Sequence, residues 1–178
     1  MPSRTDSILH QATSLGILHV DVTDDWTAIA FSELFRNVDA AYRGLSNFEH
    51  LYAHVFNNET LNPLPPVPPP LMMGTVRISS PGIAEVVGSL NPLKVIADFI
   101  TNYRAENTKR MNFATESETR KEEIRMNFAI EVLKLSGPQQ SEKVKRLADG
   151  LALKVLSHLE PLVNESKLEQ INVIEVIE

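Results

Sequence analysis

His50 and His54 stand four residues apart beside Glu49, and on an α-helix that spacing brings two imidazoles onto one face, within reach of one metal ion. A zinc site needs at least a third ligand, and usually partners that fix the rings. The other histidines, His10, His19 and His158, stand at no spacing that supplies one. The pair therefore reads as solvent-facing histidines opposite a stripe of Leu51, Tyr52 and Val55, and no metal is expected. Asp21, Asp24 and Asp25 follow a short strand candidate and have the hard oxygen donors that magnesium takes. Helix capping and complementarity to the helix dipole account for the same residues without a ligand. Ser79-Ser80-Pro81-Gly82 offers hydroxyls with no base at a recognisable spacing. No nucleophile elbow, phosphate loop or dinucleotide-binding glycine pattern occurs. The chain has no cysteine, which removes disulfides, cysteine-based zinc, iron–sulfur clusters and thiol nucleophiles together. No catalytic residue and no cofactor is expected, and an enzyme with an unrecognised site remains a third reading.

The elements around these residues divide at Asn62-Pro63-Leu64-Pro65-Pro66-Val67-Pro68-Pro69-Pro70. Six prolines in eight positions remove backbone donors and lock φ, leaving polyproline II as the available conformation. No arginine flanks the PxxP frames closely, so a stiff spacer is expected rather than a ligand for a proline-binding groove. Residues 1–61 then form a strand and an aromatic-rich helical pair, 62–70 the spacer, and 71–178 a strand, a long helical arm, a C-terminal helix and a possible last strand. The spacer is expected to lie within one folded unit.

Ahead of the spacer, Gly16-Ile17-Leu18-His19-Val20-Asp21-Val22 alternates as a strand over 17–22, and Thr23 or Asp24 is placed to cap a helix. From Trp26, apolar residues at Ile29, Ala30, Leu34, Val38, Ala41 and Tyr42 recur at helical spacing. Arg43-Gly44 reads as the end of that helix, and Ser46-Asn47-Phe48-Glu49 as the capping box of a second. Seven of the eleven aromatic residues lie between Trp26 and Phe56, which places the densest core there.

After the spacer, 74–79 alternates as a strand. Ile83, Val86, Val87 and Leu90 share a helical face, and Asn91-Pro92 reads as a cap and first-turn proline that kink or restart the helix. The pattern runs on through Leu93, Ile96, Phe99, Ile100 and Tyr103. From Arg104 to Arg125 six basic and five acidic residues surround a thin apolar seam of Met111, Phe113, Ala114 and Ile124. Glu106 with Arg110 and Glu116 with Arg120 have the i,i+4 order that supports an exposed helix. Arg110-Met111-Asn112-Phe113-Ala114 recurs as Arg125-Met126-Asn127-Phe128-Ala129; two copies are too few for a solenoid. Gly137-Pro138 closes the arm, Ser141 opens another helix, and Pro161 interrupts it. The β-branched run over 170–177 suits a third strand, with a helix continuing from Glu165 as the competing assignment.

The expected fold is α+β and predominantly helical, a small two- or three-stranded sheet packed on amphipathic helices with a long charged arm over 93–135. Formal charge is −5 over residues 1–70, +3 over 71–154 and −4 beyond, for a total of −6. Only the middle could offer a basic face, so nucleic acid is not an expected partner. No window has the run of about 18 apolar residues a spanning helix needs, and the N-terminus lacks the apolar core of a secretory signal. The expected location is the cytoplasm. A long helix with a marginal apolar face needs a partner to bury it. The expected function is therefore a non-catalytic interaction or assembly protein, joined to its own copy or another protein through Met111, Ala114, Ile124 and Phe128, coiled-coil fashion. The alternative is a peripheral membrane or effector protein inserting the amphipathic segment 83–100.

Overall fold

The computed structural model describes residues 14–23, 26–56, 67–78, 81–108, 114–138, 141–164 and 168–176, with the side chains at 54–56, 108, 114–117 and 164 left aside. Along the chain these form β1 (Leu15–Val22), α1 (Ala28–Glu49) running into a π-helical turn (His50–Phe56), β2 (Met72–Arg77), β3 (Gly82–Ser89), α2 (Leu90–Thr108), α3 (Ala114–Lys134), α4 (Glu142–Asn164) and β4 (Leu168–Glu175). The fold is α+β and mostly helical. Its sheet has four strands in the order β2-β3-β1-β4, antiparallel throughout, so it is larger than the two or three strands expected.

The missing strand is β3, in the stretch read as the first part of a helix over 83–100. Ile83, Val86, Val87 and Leu90 fit a helical stripe, but Gly82, Ala84, Val86 and Gly88 also alternate, and these are the residues buried. Two glycines and three β-branched residues disfavour a helix, and β1 pairs with the whole of β3 from Leu15↔Ser89 to Val22↔Gly82. The helix starts only at Leu90. The glycines on the inner face of β3 are there for the helices: a Cβ on Gly88 would sit 2.7 Å from the Tyr42 ring, and one on Gly82 2.7 Å from Val22 and 3.3 Å from Phe31.

Helix α1 passes through the expected break at Arg43-Gly44. Gly44 is where α4 comes close, a Cβ there meeting Leu151 at 3.1 Å. Ser46 and Glu49 form no capping box; Glu49 Oε1 instead accepts from the Asn91 side chain at 2.6 Å. The cap of α1 is Thr27, whose hydroxyl accepts from the Ala30 N–H; Asp24 lies outside the described residues. Helix α2 lies directly against the sheet and is buried along most of its circumference, from Leu90 through Leu93, Ile96, Phe99 and Ile100 to Tyr103. A helix with other elements on several sides needs no sharp polar face.

The stretch read as one arm is two helices. Helix α2 ends at Thr108, α3 begins at Ala114, and α3 returns antiparallel along α2: Phe128 packs edge-on to Phe99 with centroids 5.0 Å apart, while Arg120 meets Glu106 at 3.8 Å. Gly137, with φ 83°, turns the chain, and Ser141 caps α4 through the Val144 N–H. Pro161 lies inside α4 without ending it; buried Leu159, Leu162 and Val163 hold the helix on either side. The result is a sheet, then α1 and α2, then α3 and α4, around one continuous apolar core.

Candidate interaction surface

The residues singled out by sequence disperse. His50 lies half-buried in the π-helical turn, and the side chain of His54 lies outside those described. Among the described residues no group of three or more His, Cys, Asp or Glu side chains is placed to hold a metal ion. Asp24 and Asp25 lie outside the described residues, as does Met111, and Ala114 opens α3 with its side chain likewise outside. Ile124 is half-buried against the core, and Phe128, 3% exposed, belongs to it. The burial that Phe128 requires is met within one chain.

The charges of α3 are likewise used internally. Lys121 is buried, its ammonium 5.6 Å from the centroid of the Tyr103 ring and 3.1 Å from Glu118. Arg125 lies over the same ring at 5.7 Å, donates to the Tyr103 hydroxyl, and donates to Glu160 of α4 at 2.6 Å. That hydrogen bond holds the Arg125 guanidinium even more firmly charged than usual. Arg120 pairs across the helices with Glu106, and described local pairs of α3 such as Glu131 with Lys134 are at i,i+3; Arg110 and the Glu116 side chain, expected in i,i+4 pairs, lie outside those described. These bridges fasten α3 to α2 and α4 where a solvated arm was expected.

A groove of mixed lining runs between α2 and α3, as two adjoining cavities of about 300 and 460 Å³ that share Val95, Asp98 and Glu131. Burial, and then Glu131, push the Asp98 carboxyl above its usual range against the pull of Lys94. At one end burial raises Glu49, opposed by the hydrogen bond from Asn91. Carboxylates held in this way take up a proton more readily than free ones.

The sheet is less fully used. Its inner face carries Leu18, Val20, Val22, Ala84 and Val86 into the core, and the described helices pack on that face. The outer face reads as three cross-strand rows set by the register. Met72, Val87, Ile17 and Ile174 form an apolar row; Glu85, His19 and Asn172 form a polar one; Arg77, Ile83, Asp21 and Gln170 form a mixed one. In the polar row His19 Nδ1 lies 2.8 Å from Glu85 and Nε2 lies 3.2 Å from Asp21. The Glu85 bond, with that of Asp21, raises the His19 pKa against the effect of burial. Hydrogen bonds from His19, and then Thr75, lower that of Glu85. Both ring nitrogens are engaged, so the cluster braces β1 against β3.

Edge strand β2 stands apart. All six of its residues are exposed, with Met72 at 48%, Met73 at 64% and Val76 at 36%, followed by Ile78 at 60%. Met73 opposes buried Val86, and Val76 opposes buried Ala84, on the inner side, while Met72 opposes Val87 on the outer side. Apolar side chains thus lie bare on both faces, and no described strand pairs with the free edge. The opposite edge strand, β4, is lined with exposed Glu169, Gln170, Asn172 and Glu175, beside which Ile174 is its exposed large apolar residue. Exposed charge is the ordinary protection of a sheet edge; β2 has only Arg77 and a register shift between Met73 and Val76. The alternation over 74–79 points to this strand, which spans Met72–Arg77, but nothing local marks it as an edge. A smaller apolar stripe remains on α3, where Met126 and Ile130, one turn apart, are 66% and 50% exposed.

No family model, curated protein or solved structure matches the chain.

Proposed function

We propose that this chain is a non-catalytic association module that binds polypeptide by strand addition at the free edge of β2. The observation that carries this reading is the contrast between the two sheet edges: β2 is apolar and exposed on both faces, whereas β4 is guarded by carboxylates and amides. An added strand takes its affinity from the main-chain ladder and its selectivity from alternate side chains. Met72 and Met73 suit such a surface, because an unbranched thioether adapts to differing partners. The helical layers then serve to hold the edge rigid. No described helix is long and apolar enough to cross a membrane, and the segment 83–100 is a strand followed by a core helix rather than one amphipathic helix.

Helix-mediated association is the second reading. It rests on Met126 and Ile130 in place of Ile124 and Phe128, because only the former present apolar surface to a partner.

A photoreactive amino acid in place of Met73, Ile130 or Asn172, irradiated in the cells that make the protein, separates these readings. Crosslinks concentrated at position 73 are expected. Crosslinks at position 130 alone favour the helical surface, and crosslinking at 73 no greater than at 172 removes strand addition.

A further inference from the structure

The β2 edge has requirements that narrow its occupant. Met73 and Val76 face the helical side and are covered by no described helix, so whatever pairs with β2 must bring apolar side chains to that same side. It must also meet Arg77 without repulsion.

Resting on the association reading above, we infer that the occupant is a second copy of this chain, paired antiparallel through β2 to give one continuous eight-stranded sheet. An isologous contact brings the same patch from both subunits. With the two-fold axis near Gly74 and Thr75, Met73 of each copy faces the partner's Val76 on the helical side, so the apolar side chains that no described helix covers meet one another, while Met72 faces the partner's Arg77 on the outer side. The same arrangement puts the two Arg77 side chains at opposite ends of the ladder. Five residues at about 3.3 Å each separate them by ~17 Å, beyond the ~10 Å over which exposed charges act in ordinary salt. The β4 edge fails this test, since pairing it with its own copy gathers two pairs of carboxylates, Glu169 and Glu175, along one ladder.

Because the chain has no cysteine, Thr75→Cys introduces a single thiol at the edge, and Asn172→Cys places one on the opposite edge. The wild-type mass by sedimentation is expected to rise with concentration from 19.9 kDa towards twice that value. A short bismaleimide should then link Thr75→Cys into a dimer and leave Asn172→Cys as monomer. Met73→Glu with Val76→Glu should abolish the doubling while far-ultraviolet circular dichroism and Trp26 fluorescence stay as in the wild type. Should that double variant unfold, Thr75→Cys linkage alone decides. A wild-type mass that stays at that of one chain up to the solubility limit overturns self-pairing, as does doubling without linkage at Thr75→Cys. Crosslinks from position 73 to species of other masses would, with a monomeric wild type, sink the second copy and keep the association module. Their absence as well would sink both.

Discussion

Tyr42 shows how much one side chain does here. It is 1% exposed, its ring lies on Gly88, its hydroxyl donates to the Pro69 carbonyl at 2.7 Å, and it accepts from the Ser89 N–H at 2.8 Å. It therefore ties the end of the proline-rich segment and the end of β3 to α1. Tyr42→Phe keeps the ring but strands the buried Ser89 N–H, and a loss of about 1–3 kcal/mol is expected, read from the shift of the urea midpoint. Tyr42 itself stands out in sequence only as one apolar position among several, since its partners are distant along the chain. On the outer face, His19 and Glu85 give a pH signature. A raised His19 pKa stabilises the fold below the ordinary value of 6.5 and is lost as pH climbs through the folded value. A lowered Glu85 pKa stabilises above 4.5 and is lost as pH falls through its folded value. The stability difference between wild type and His19→Gln should thus be greatest between 4.5 and 6.5 and shrink towards alkaline pH. A difference that did not shrink as pH rises well above 6.5 would mean the pair carries no charge-dependent energy.

At the scale of elements, α4 contains a glycine without an evident task. Nothing lies within 4 Å of a Cβ built on Gly150, and its φ is not positive, so Gly150→Ala should stabilise by about 0.5–1 kcal/mol and raise the thermal midpoint. The contrast with Gly44, Gly82 and Gly88 explains why some elements were legible and others not. Strand β1 and the body of α1 follow from period and α4 from its Ser141 cap, which are local, whereas the cap of α1 is Thr27 rather than Thr23 or Asp24. The helix end at Arg43-Gly44 was misread because glycine near a helix C-terminus and glycine at a helix–helix contact look alike in sequence. Only the approach of Leu151 separates them. Residues 83–90 satisfied both periods, and the decision lay with β1, some seventy positions away. The arm misled in a different way: Tyr103 is the ring that Lys121 and Arg125 share, and a pattern of charges does not reveal whether its partners sit on the same helix. The exposed edge of β2, on which the candidate surface rests, follows from strand order, which no single segment encodes.

For the whole molecule, β1 lies in the middle of the sheet between β3 and β4. Residues 71–178 alone would retain β2 and β3 on one side and β4 on the other with nothing between them. Such a fragment should lose the cooperative melt of the full chain, by circular dichroism, and a fragment melting like the intact protein would show that the halves fold independently. The same strand order has a kinetic consequence. The first strand in sequence cannot complete its ladders until the last one has arrived, with four helices intervening, and such non-local pairing incurs loop-closure entropy before it is rewarded. During synthesis the two halves of the nascent sheet must wait for each other. Throughout that wait the exposed methionines of β2 are not the only bare edge; β1 itself, Ile17 and Leu18 included, is open to mispairing.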